Sequence, residues 1–327
     1  MTRPRPAWVP PLRDGVSASR VAVSGGPWAH VAPFMAARLR PGIDWAWRIA
    51  QGDVLDHHGH PVTATTPCAD GAVFWYWRSV PAEPRVPFEI DLLHQCAHLV
   101  VVDKPHFLPV TPGGRHLQET VLVRLKRLLC IDSLVPMHRL DLETAGVLAF
   151  TVQPAARHAY HALMLEHRAH KVYEAVAPWR DDLSMPFTAS HCLHEPAGES
   201  FMQMQVLPDT PNAHTHISLL RRLGPDVKGS ELAQYCLVPT TGRKHQLRAQ
   251  MNALRLPIVG DRIYPRLWPA PPANAEPDFS NPLQLLAREL SFTDPFTGQA
   301  RRFVSQRQLA LATRADTAPL SPHHAPP

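Results

Sequence analysis

The residues best suited to chemistry lie in a polar stretch that runs directly into an apolar one. Arg139 and Asp141 are two positions apart, Gly146 follows, and residues 147–150 are continuously apolar. The apolar run predicts a buried strand, and the glycine permits backbone angles that other residues avoid. A carboxylate at the mouth of such a strand could be a reactive group. The same pattern is typical of a plain ion pair in a loop, and from the pattern alone both interpretations stay open.

Two later patterns place further polar groups on regular elements. Residues 170–177 alternate, which predicts a strand with Lys171 and Tyr173 on one face. Further along, helical spacing places His245 and Arg248 on a shared face. A tyrosine could stack on a flat ligand or transfer a proton. From spacing alone, however, a core aromatic with a satisfied hydroxyl is the commoner explanation.

Composition narrows the class of protein. Of 327 residues, 45% are apolar, which is enough for a sizeable core, and 33 Lys and Arg against 28 Asp and Glu give a net charge of +5. This mild positive excess suits a nucleic-acid partner without establishing one. The five cysteines are scattered and form no CxxC pair, which argues against a zinc ribbon or a redox pair. Scattered thiols favour a reduced protein in the cytoplasm.

Neither a membrane partner nor a metal is expected. No run of roughly eighteen apolar residues could span a bilayer, and residues 1–12 lack the apolar core of a signal peptide. His57, His58 and His60 form a cluster. The glycine and proline beside them favour a solvated hairpin turn over a metal site.

The chain divides into segments of different composition. We expect a disordered N-terminus, a small domain, a Pro-rich linker, a main domain and a disordered tail, over residues 1–14, 15–80, 81–90, 91–310 and 311–327. The small domain, with two predicted helices, a hairpin and a closing strand, resembles the RNA-binding module of ribosomal proteins that precedes the catalytic domain in many RNA-modifying enzymes. A small α+β cap that packs on the main domain is an equal alternative.

Hydrophobic periodicity predicts the elements of the main domain. We expect amphipathic helices over residues 119–130 and 154–167. We expect strands over residues 99–102, 170–177, 202–207, 216–220, 234–239, 257–260, 283–287, 290–295 and 301–304.

Five short motifs occur in a fixed order along the main domain. They are Asp103-Lys104-Pro105 with residues 109–112, His138-Arg139-Leu140-Asp141 with Thr144 and Gly146, Lys171-x-Tyr173-x-Ala175, Gly242-Arg243-x-His245-Gln246-Leu247-Arg248, and Pro257-Ile258-Val259-Gly260-Asp261. Each motif alone is weak, but all five in this order form a strong signal. Together they resemble the RluA-type pseudouridine synthases over about residues 90–305, most of the chain.

The resemblance implies an enzyme that isomerises uridine to pseudouridine in structured ribosomal or transfer RNA, without cofactor or metal. The implied fold is α+β, with a mixed, mostly antiparallel central sheet flanked by helices, and residues 91–310 would be the catalytic domain. RNA is the implied partner, and we expect a cytoplasmic monomer.

The resemblance also implies roles for individual residues. Asp141 resembles the catalytic aspartate, Tyr173 the tyrosine that stacks on the target base, and Arg248 the arginine that pairs with the aspartate. Arg139 resembles the residue that enters the helix where the base has left, and Leu247 an apolar wall of the uracil pocket. The other candidates for substrate or RNA contact are His138, Thr144, His245, Arg243, Lys104 and Lys171.

The chain departs from the usual motifs at three positions. Lys244 stands where Thr is usual, Gln250 where His is usual, and Ala145 where Ser is usual. These changes bear on RNA and loop contacts rather than on the reaction. Two other functions are alternatives to the synthase. One is an inactive RNA-binding or ribosome-assembly protein with the same fold, and the other is an N-glycosidase that releases uracil.

Overall fold

The computed structural model describes residues 8–39, 41–78, 83–198, 202–269, 272 and 275–317. The chain separates into two units, the first formed by Met1–Glu83 with Thr111–Asp132 and the second by Pro84–Val110 with Ser133–Pro327. Among the described helices, none is long and apolar enough to cross a membrane.

The first unit combines helices with a small sheet. Its elements are β1 (Ser19–Ala22), α1 (Val31–Arg38), α2 (Trp45–Ala50), β2 (Val54–Leu55), β3 (Val73–Tyr76) and α3 (Val121–Leu129). The three strands pair antiparallel in the order β1-β3-β2. Apolar residues of both early helices, including Phe34 and Trp45, form its core with Phe74 of β3.

Residues 111–132 pack with the first unit, whereas the sequence placed them in the main domain. The Glu83 carboxylate accepts hydrogen bonds from three successive backbone amides, Leu117, Gln118 and Glu119, at 2.7–2.9 Å. Val123 of α3 lies in a buried cluster of this unit. These contacts group residues 111–132 with the first unit, and the domain bounds expected from the sequence stay predictions.

The second unit is built on one sheet. Its elements are β4 (Asp91–Gln95), β5 (Leu99–Lys104), β6 (Val135–Pro136), β7 (Ala145–Thr151), α4 (Arg157–Leu165), β8 (His170–Pro178), β9 (Phe187–His194), β10 (Gln205–Leu207), β11 (Ala213–Pro225), β12 (Glu231–Pro239), α5 (Gln246–Ala253), β13 (Leu285–Thr293), β14 (Ala300–Val304) and α6 (Ala310–Thr317). Within the described residues, eleven strands follow the order β10-β9-β11-β12-β8-β13-β7-β5-β4, with β14 on β13 and β6 on β7. The β7–β13 pair is parallel and the others are antiparallel, which confirms the α+β fold with a mixed, mostly antiparallel sheet.

Two apolar clusters attach helices to this sheet. Leu247 and Met251 of α5 pack in one cluster with residues of β8, β9, β11 and β12. Tyr160 and Leu163 of α4 pack in another with residues of β5, β7 and β13.

Three predicted elements differ from the structure. Residues 257–260 form a turn instead of a strand, because Gly260 takes φ +79 and Asp261 N donates back to Ile258 O at 3.2 Å. The two strands expected over residues 283–295 are one strand, β13, with an irregularity between Ala287 and Glu289. The tail expected to be disordered begins as α6, and residues 318–327, like residues 1–7, lie outside the described part of the chain.

Candidate active site

The loop that joins β6 to β7 carries Asp141. Thr144 N donates to Asp141 O at 3.2 Å, which closes the loop as a turn. Gly146 then takes φ +114, and a Cβ at this position would lie 2.2 Å from Ala287 O of β13. Only glycine lets β7 begin so close to β13, which confirms the conformational reason inferred for it from the sequence. The Asp141 loop therefore lies where the two parallel strands meet.

Arg248 of α5 reaches the Asp141 carboxylate. Its Nη1 donates to Asp141 Oδ2 at 3.0 Å. Its Nε and Nη2 donate to Asp261 Oδ2 and Oδ1 at 2.8 and 2.7 Å, so that the two buried side chains form a bidentate ion pair. Burial lowers the pKa of the Arg248 guanidinium, but the pull of Asp261 and Asp141 outweighs it and holds the pKa above its usual value. The cation is therefore permanent and oriented.

A second carboxylate of the loop joins this cluster. Glu143 Oε2 lies 3.7 Å from Arg248 Nη2, and Glu143 Oε1 lies 3.5 Å from Arg262 Nε. Burial raises the pKa of the Glu143 carboxyl, and the two guanidiniums partly oppose that shift. Glu143 thus links the Asp141 loop to the segment that follows Asp261.

Tyr173 reaches the site from β8. In the register of the sheet it lies opposite Leu237 of β12 and Ala287 of β13, and Ala287 is in turn opposite Gly146 of β7. Its ring packs, partly buried, against the apolar cluster around Leu247. Burial raises the pKa of the Tyr173 phenol, and the nearby Asp141 carboxylate raises it further. The phenol therefore stays protonated at neutral pH.

His245 precedes α5 and faces the same carboxylate. Its Nε2 lies 3.9 Å from Asp141 Oδ1, and its ring meets the Tyr264 ring edge-on with centroids 6.0 Å apart. Burial lowers the pKa of the His245 imidazole, although Asp141 pulls in the other direction. A neutral imidazole beside Asp141 can donate or accept a hydrogen bond without competing with Arg248 for the carboxylate.

Two buried glutamines hold α5 against the sheet. Gln246 Nε2 donates to His214 O at 3.1 Å, while its Oε1 accepts from Arg243 N at 3.1 Å. Gln250, at the position where His is usual, donates to backbone carbonyls of β9 and β11 at 3.1 and 3.0 Å. These contacts fix the turn before the helix and hence the direction of Arg248.

Cations with access to solvent surround the cluster. Arg139 is exposed and has no hydrogen bond or ion pair with any residue that the structure describes, while Arg243 is exposed and donates from Nε to Asn212 O at 3.2 Å. The Lys171 ammonium is half-buried, 3.7 Å from the point where a Cβ on Gly242 would lie. Burial lowers the pKa of this ammonium.

Lys104 and Thr144, which the resemblance suggested as contacts with substrate or RNA, are closed off from solvent. The Lys104 ammonium is fully buried and donates to Pro105 O, Leu108 O and Leu142 O at 2.9, 2.8 and 3.0 Å. Burial lowers its pKa to about 7, while Asp141 opposes the shift. Lys104 holds the backbone of the Asp141 loop, and Thr144 is buried in the same loop.

His138 and Leu247 also line the interior. Nε2 of His138 accepts from Ala149 N at 3.3 Å, and burial, with Lys171 nearby, lowers the pKa of this imidazole to about 3. Leu247 is buried in the cluster that holds the Tyr173 ring. His138 therefore supports β7, the strand that follows the Asp141 loop, whereas Leu247 packs in the same cluster as Tyr173.

Sequence reasoning gave no role to Asp261 or Glu143. Asp261 was part of a motif but not a site candidate, and Glu143 lay unremarked between Asp141 and Thr144. For Asp261, the sequence signal was an acidic residue directly after a glycine, Gly260, within an apolar segment. Among the described residues, no group of three or more His, Cys, Asp or Glu side chains could hold a metal ion.

Known proteins resemble this chain in sequence and fold. Residues 98–253 match the family described as RNA pseudouridylate synthase. An uncharacterized RNA pseudouridine synthase of Synechocystis sp. is 33% identical over 222 residues, covering 67% of this chain and 73% of that protein. The dual-specificity RNA pseudouridine synthase RluA of Escherichia coli is 29% identical over 229 residues, covering 67% of this chain and 94% of that protein.

A further curated relative and one solved structure also resemble this chain. The tRNA pseudouridine synthase C of Vibrio parahaemolyticus is 30% identical over 220 residues, covering 65% of this chain and 88% of that protein. The solved structure of human RNA pseudouridylate synthase domain containing 1 has a TM-score of 0.53 at 20% identity, covering 73% of this chain and 99% of that one, and shows the shared fold. With the five motifs on this sheet, the chain belongs to the RluA-type RNA pseudouridine synthases, which are isomerases.

Proposed function

We propose that this enzyme isomerises specific uridines in structured ribosomal or transfer RNA, with Asp141 as its catalytic carboxylate. The hydrogen bond at 3.0 Å from Arg248 to Asp141, made by a guanidinium that Asp261 already holds, carries the proposal. A guanidinium that donates a charge-assisted hydrogen bond at this range fixes the direction of the carboxylate. The relative named a tRNA pseudouridine synthase supports transfer RNA as one substrate class.

The reaction needs a group that acts on the ribose. The bond from C1′ to N1 of uracil breaks, a bond from C1′ to C5 forms, C5 loses its proton, and N1 gains one. Asp141 serves either as the nucleophile at C1′ or as a base on the sugar. Both routes need a carboxylate held in place, and the Arg248 guanidinium, itself held by Asp261, positions Asp141.

Tyr173 and Leu247 would hold the uracil while it detaches and turns. The raised pKa of the phenol leaves Tyr173 neutral, with a flat face for stacking and a hydroxyl for proton transfer near C5. Leu247 supplies an apolar wall in the same cluster. The phenol face and the leucine side chain would hold the flat uracil without strong polar anchors, so that it could rotate.

A uridine in a stem must leave the stack before Asp141 can act on it. Flipping costs a few kcal/mol, and a side chain that fills the gap recovers part of the cost. Arg139 is two residues from Asp141, exposed, and unpaired among the described residues, so we assign it this task. Arg243 and Lys171 would contact phosphates beside the flipped nucleotide, and His245 would contact its ribose.

The first unit is proposed as an RNA-binding module that contributes to the choice of uridine. Its two early helices and antiparallel sheet are those expected of the small ribosomal-protein module. The enzyme is further proposed to act as a monomer in the cytoplasm, where the five free cysteines would stay reduced.

Mapping of pseudouridines in a deletion strain tests the proposal. Total RNA is compared after complementation with the wild-type protein, with Asp141→Asn, or with the control Asp209→Asn, an exposed aspartate in a turn. We expect pseudouridine at specific sites of ribosomal or transfer RNA to return with wild type and Asp209→Asn, and to remain absent with Asp141→Asn.

Other outcomes identify the alternative functions. If no pseudouridine depends on the gene while the protein co-purifies with ribosomal particles, it is an RNA-binding or assembly protein that lacks the reaction. If incubation of the purified protein with RNA liberates free uracil, it is an N-glycosidase, because an isomerase retains the base.

A further inference from the structure

The segment that leaves Asp261 carries an exposed aromatic side chain and an unpaired cation. Residues 265–269 are all exposed, and Trp268 is 59% exposed. Arg266, two residues earlier, has no hydrogen bond or ion pair with any residue that the structure describes. An exposed indole beside a free cation offers a stacking face for a base and a charge for a phosphate.

This segment is attached directly to the active site. Trp268 N donates to Arg262 O at 2.8 Å, and Arg262 follows Asp261 in the chain. Asp261 holds Arg248, which holds Asp141. The backbone of Trp268 is therefore connected to the catalytic carboxylate by a short series of direct contacts.

Arg262 orients the surface. Its guanidinium lies 5.9 Å from the Trp268 ring centroid and 5.7 Å from that of Phe107. Its Nε lies 3.5 Å from Glu143 Oε1, and its Nη2 donates to Asp278 O at 3.1 Å. These two contacts hold the Arg262 guanidinium against the protein. The Trp268 ring therefore lies beside a fixed cation, while much of its surface stays exposed to solvent.

We propose that Trp268 stacks on an unpaired base of the RNA next to the modified uridine, and that Arg266 contacts the adjoining phosphate. This inference rests on the proposed function, since RNA that delivers a uridine to Asp141 must pass the rim of the site. Every base offers a π-face, so an indole binds single strands without reading their sequence. A protein partner is less favoured, because the cation beside the indole suits a phosphate.

Binding of a labelled single-stranded oligouridylate, followed by fluorescence anisotropy, tests the stacking. The substitutions Trp268→Ala, Trp268→Leu and Trp268→Phe are made in the full chain carrying Asp141→Asn, which prevents turnover. Trp268→Ala and Trp268→Leu should raise Kd between about fivefold and a hundredfold, whereas Trp268→Phe should keep most of the affinity. Arg266→Gln should weaken binding and reduce the slope of log K against log salt by about 0.7.

The matched control is Phe296→Ala, which removes an exposed aromatic ring from the turn between β13 and β14 and should leave Kd unchanged. Unchanged Kd in Trp268→Ala, full affinity in Trp268→Leu, or an equal loss in Phe296→Ala would overturn the stacking proposal. Unfolding curves of each variant exclude a global loss of structure.

Activity separates this inference from the function on which it rests. In the chain with Asp141 intact, acting on total RNA from the deletion strain, Trp268→Ala should raise KM by more than it lowers kcat. If wild type forms pseudouridine but Trp268→Ala has wild-type Kd and KM, this inference alone fails. If wild type forms none, the proposed function fails, while the oligouridylate result still decides whether Trp268 stacks.

Discussion

Asp261 accepts two hydrogen bonds from Arg248, at 2.8 and 2.7 Å, on the side of the guanidinium away from the nitrogen that donates to Asp141. Asp261 also accepts from the backbone amides of Ile263 and Tyr264 at 2.7 and 2.9 Å. Backbone amides of its own loop therefore hold the Asp261 carboxylate in position, and the carboxylate in turn holds Arg248. Asp261 positions the arginine, and the arginine positions Asp141.

Asp261→Asn should lower the free energy of unfolding by about 3–5 kcal/mol, because it leaves a buried guanidinium without its main counter-charge. Pseudouridine formation should fall as well, since Arg248 loses its orientation. Urea unfolding measures the first effect. The control Asp181→Asn removes an exposed partner of Arg222 and should cost less than about 1 kcal/mol. Equal losses in the two variants would show that Asp261 has no special structural role.

Gly146→Ala should destabilise the second unit by about 3 kcal/mol or more. The new Cβ would lie 2.2 Å from Ala287 O, and φ +114 is unfavourable for alanine. Gly229→Ala is the control, because Gly229 has φ +83 but nothing within 4 Å of its added Cβ, so only backbone strain of about 1–2 kcal/mol is expected. Thermal or urea unfolding compares them, and a similar cost for both would argue against the close approach of β7 and β13.

Much of the sheet could be predicted from periodicity, and the exceptions have physical causes. Arg288 and Glu289 look like a polar break between two strands, yet β13 continues through them because Arg288 pairs with Glu174 of the neighbouring β8 at 2.7 Å. Residues 257–260 are apolar enough for a strand but form a turn at Gly260. A local sequence pattern identifies neither the residue that a side chain will pair with across the sheet nor the backbone angle that a glycine will adopt.

The site was predictable only in part for a related reason. The motifs pointed to Asp141, Tyr173 and Arg248, and the structure brings these three into one cluster. Asp261 and Lys104 act through contacts between segments that are distant in sequence, so their residue types alone did not reveal their roles. A lysine within a motif suggested a contact with substrate or RNA, whereas in the structure the Lys104 ammonium donates to three backbone carbonyls and holds the Asp141 loop.

His138→Gln should reduce the acid sensitivity of the protein. The His138 imidazole has a pKa lowered to about 3 by burial, against about 6.5 in an unfolded chain. Between these values the unfolded chain binds a proton that the folded chain does not, so the free energy of unfolding falls as pH falls through this window. A glutamine side chain can still accept the hydrogen bond from Ala149 N. Because it does not titrate, the unfolded variant does not bind the extra proton.

Urea unfolding at several pH values between about 6.5 and 4 measures the change. The variant should show a slope against pH that is smaller than that of wild type by up to about 1.4 kcal/mol per pH unit. Identical slopes would show that His138 titrates normally in the folded protein.

Arg243→Gln and Lys171→Gln should each weaken RNA binding and reduce the slope of log K against log salt by about 0.7–0.9, since each removes one proposed phosphate contact. Arg168→Gln is the control, because this exposed arginine, after α4, is paired with Glu166 at 2.8 Å. Filter binding over a range of salt concentrations gives the slopes. A slope that is unchanged in both site variants would contradict their phosphate contacts.

The most direct measurement of the central claim is the single-turnover rate of pseudouridine formation by purified protein, with total RNA from the deletion strain as substrate. Asp141→Asn should abolish the reaction while RNA binding persists, and Asp209→Asn should react at the wild-type rate. Wild-type turnover by Asp141→Asn would contradict the assignment of the Asp141 carboxylate, held by Arg248, as the group that rearranges the nucleoside.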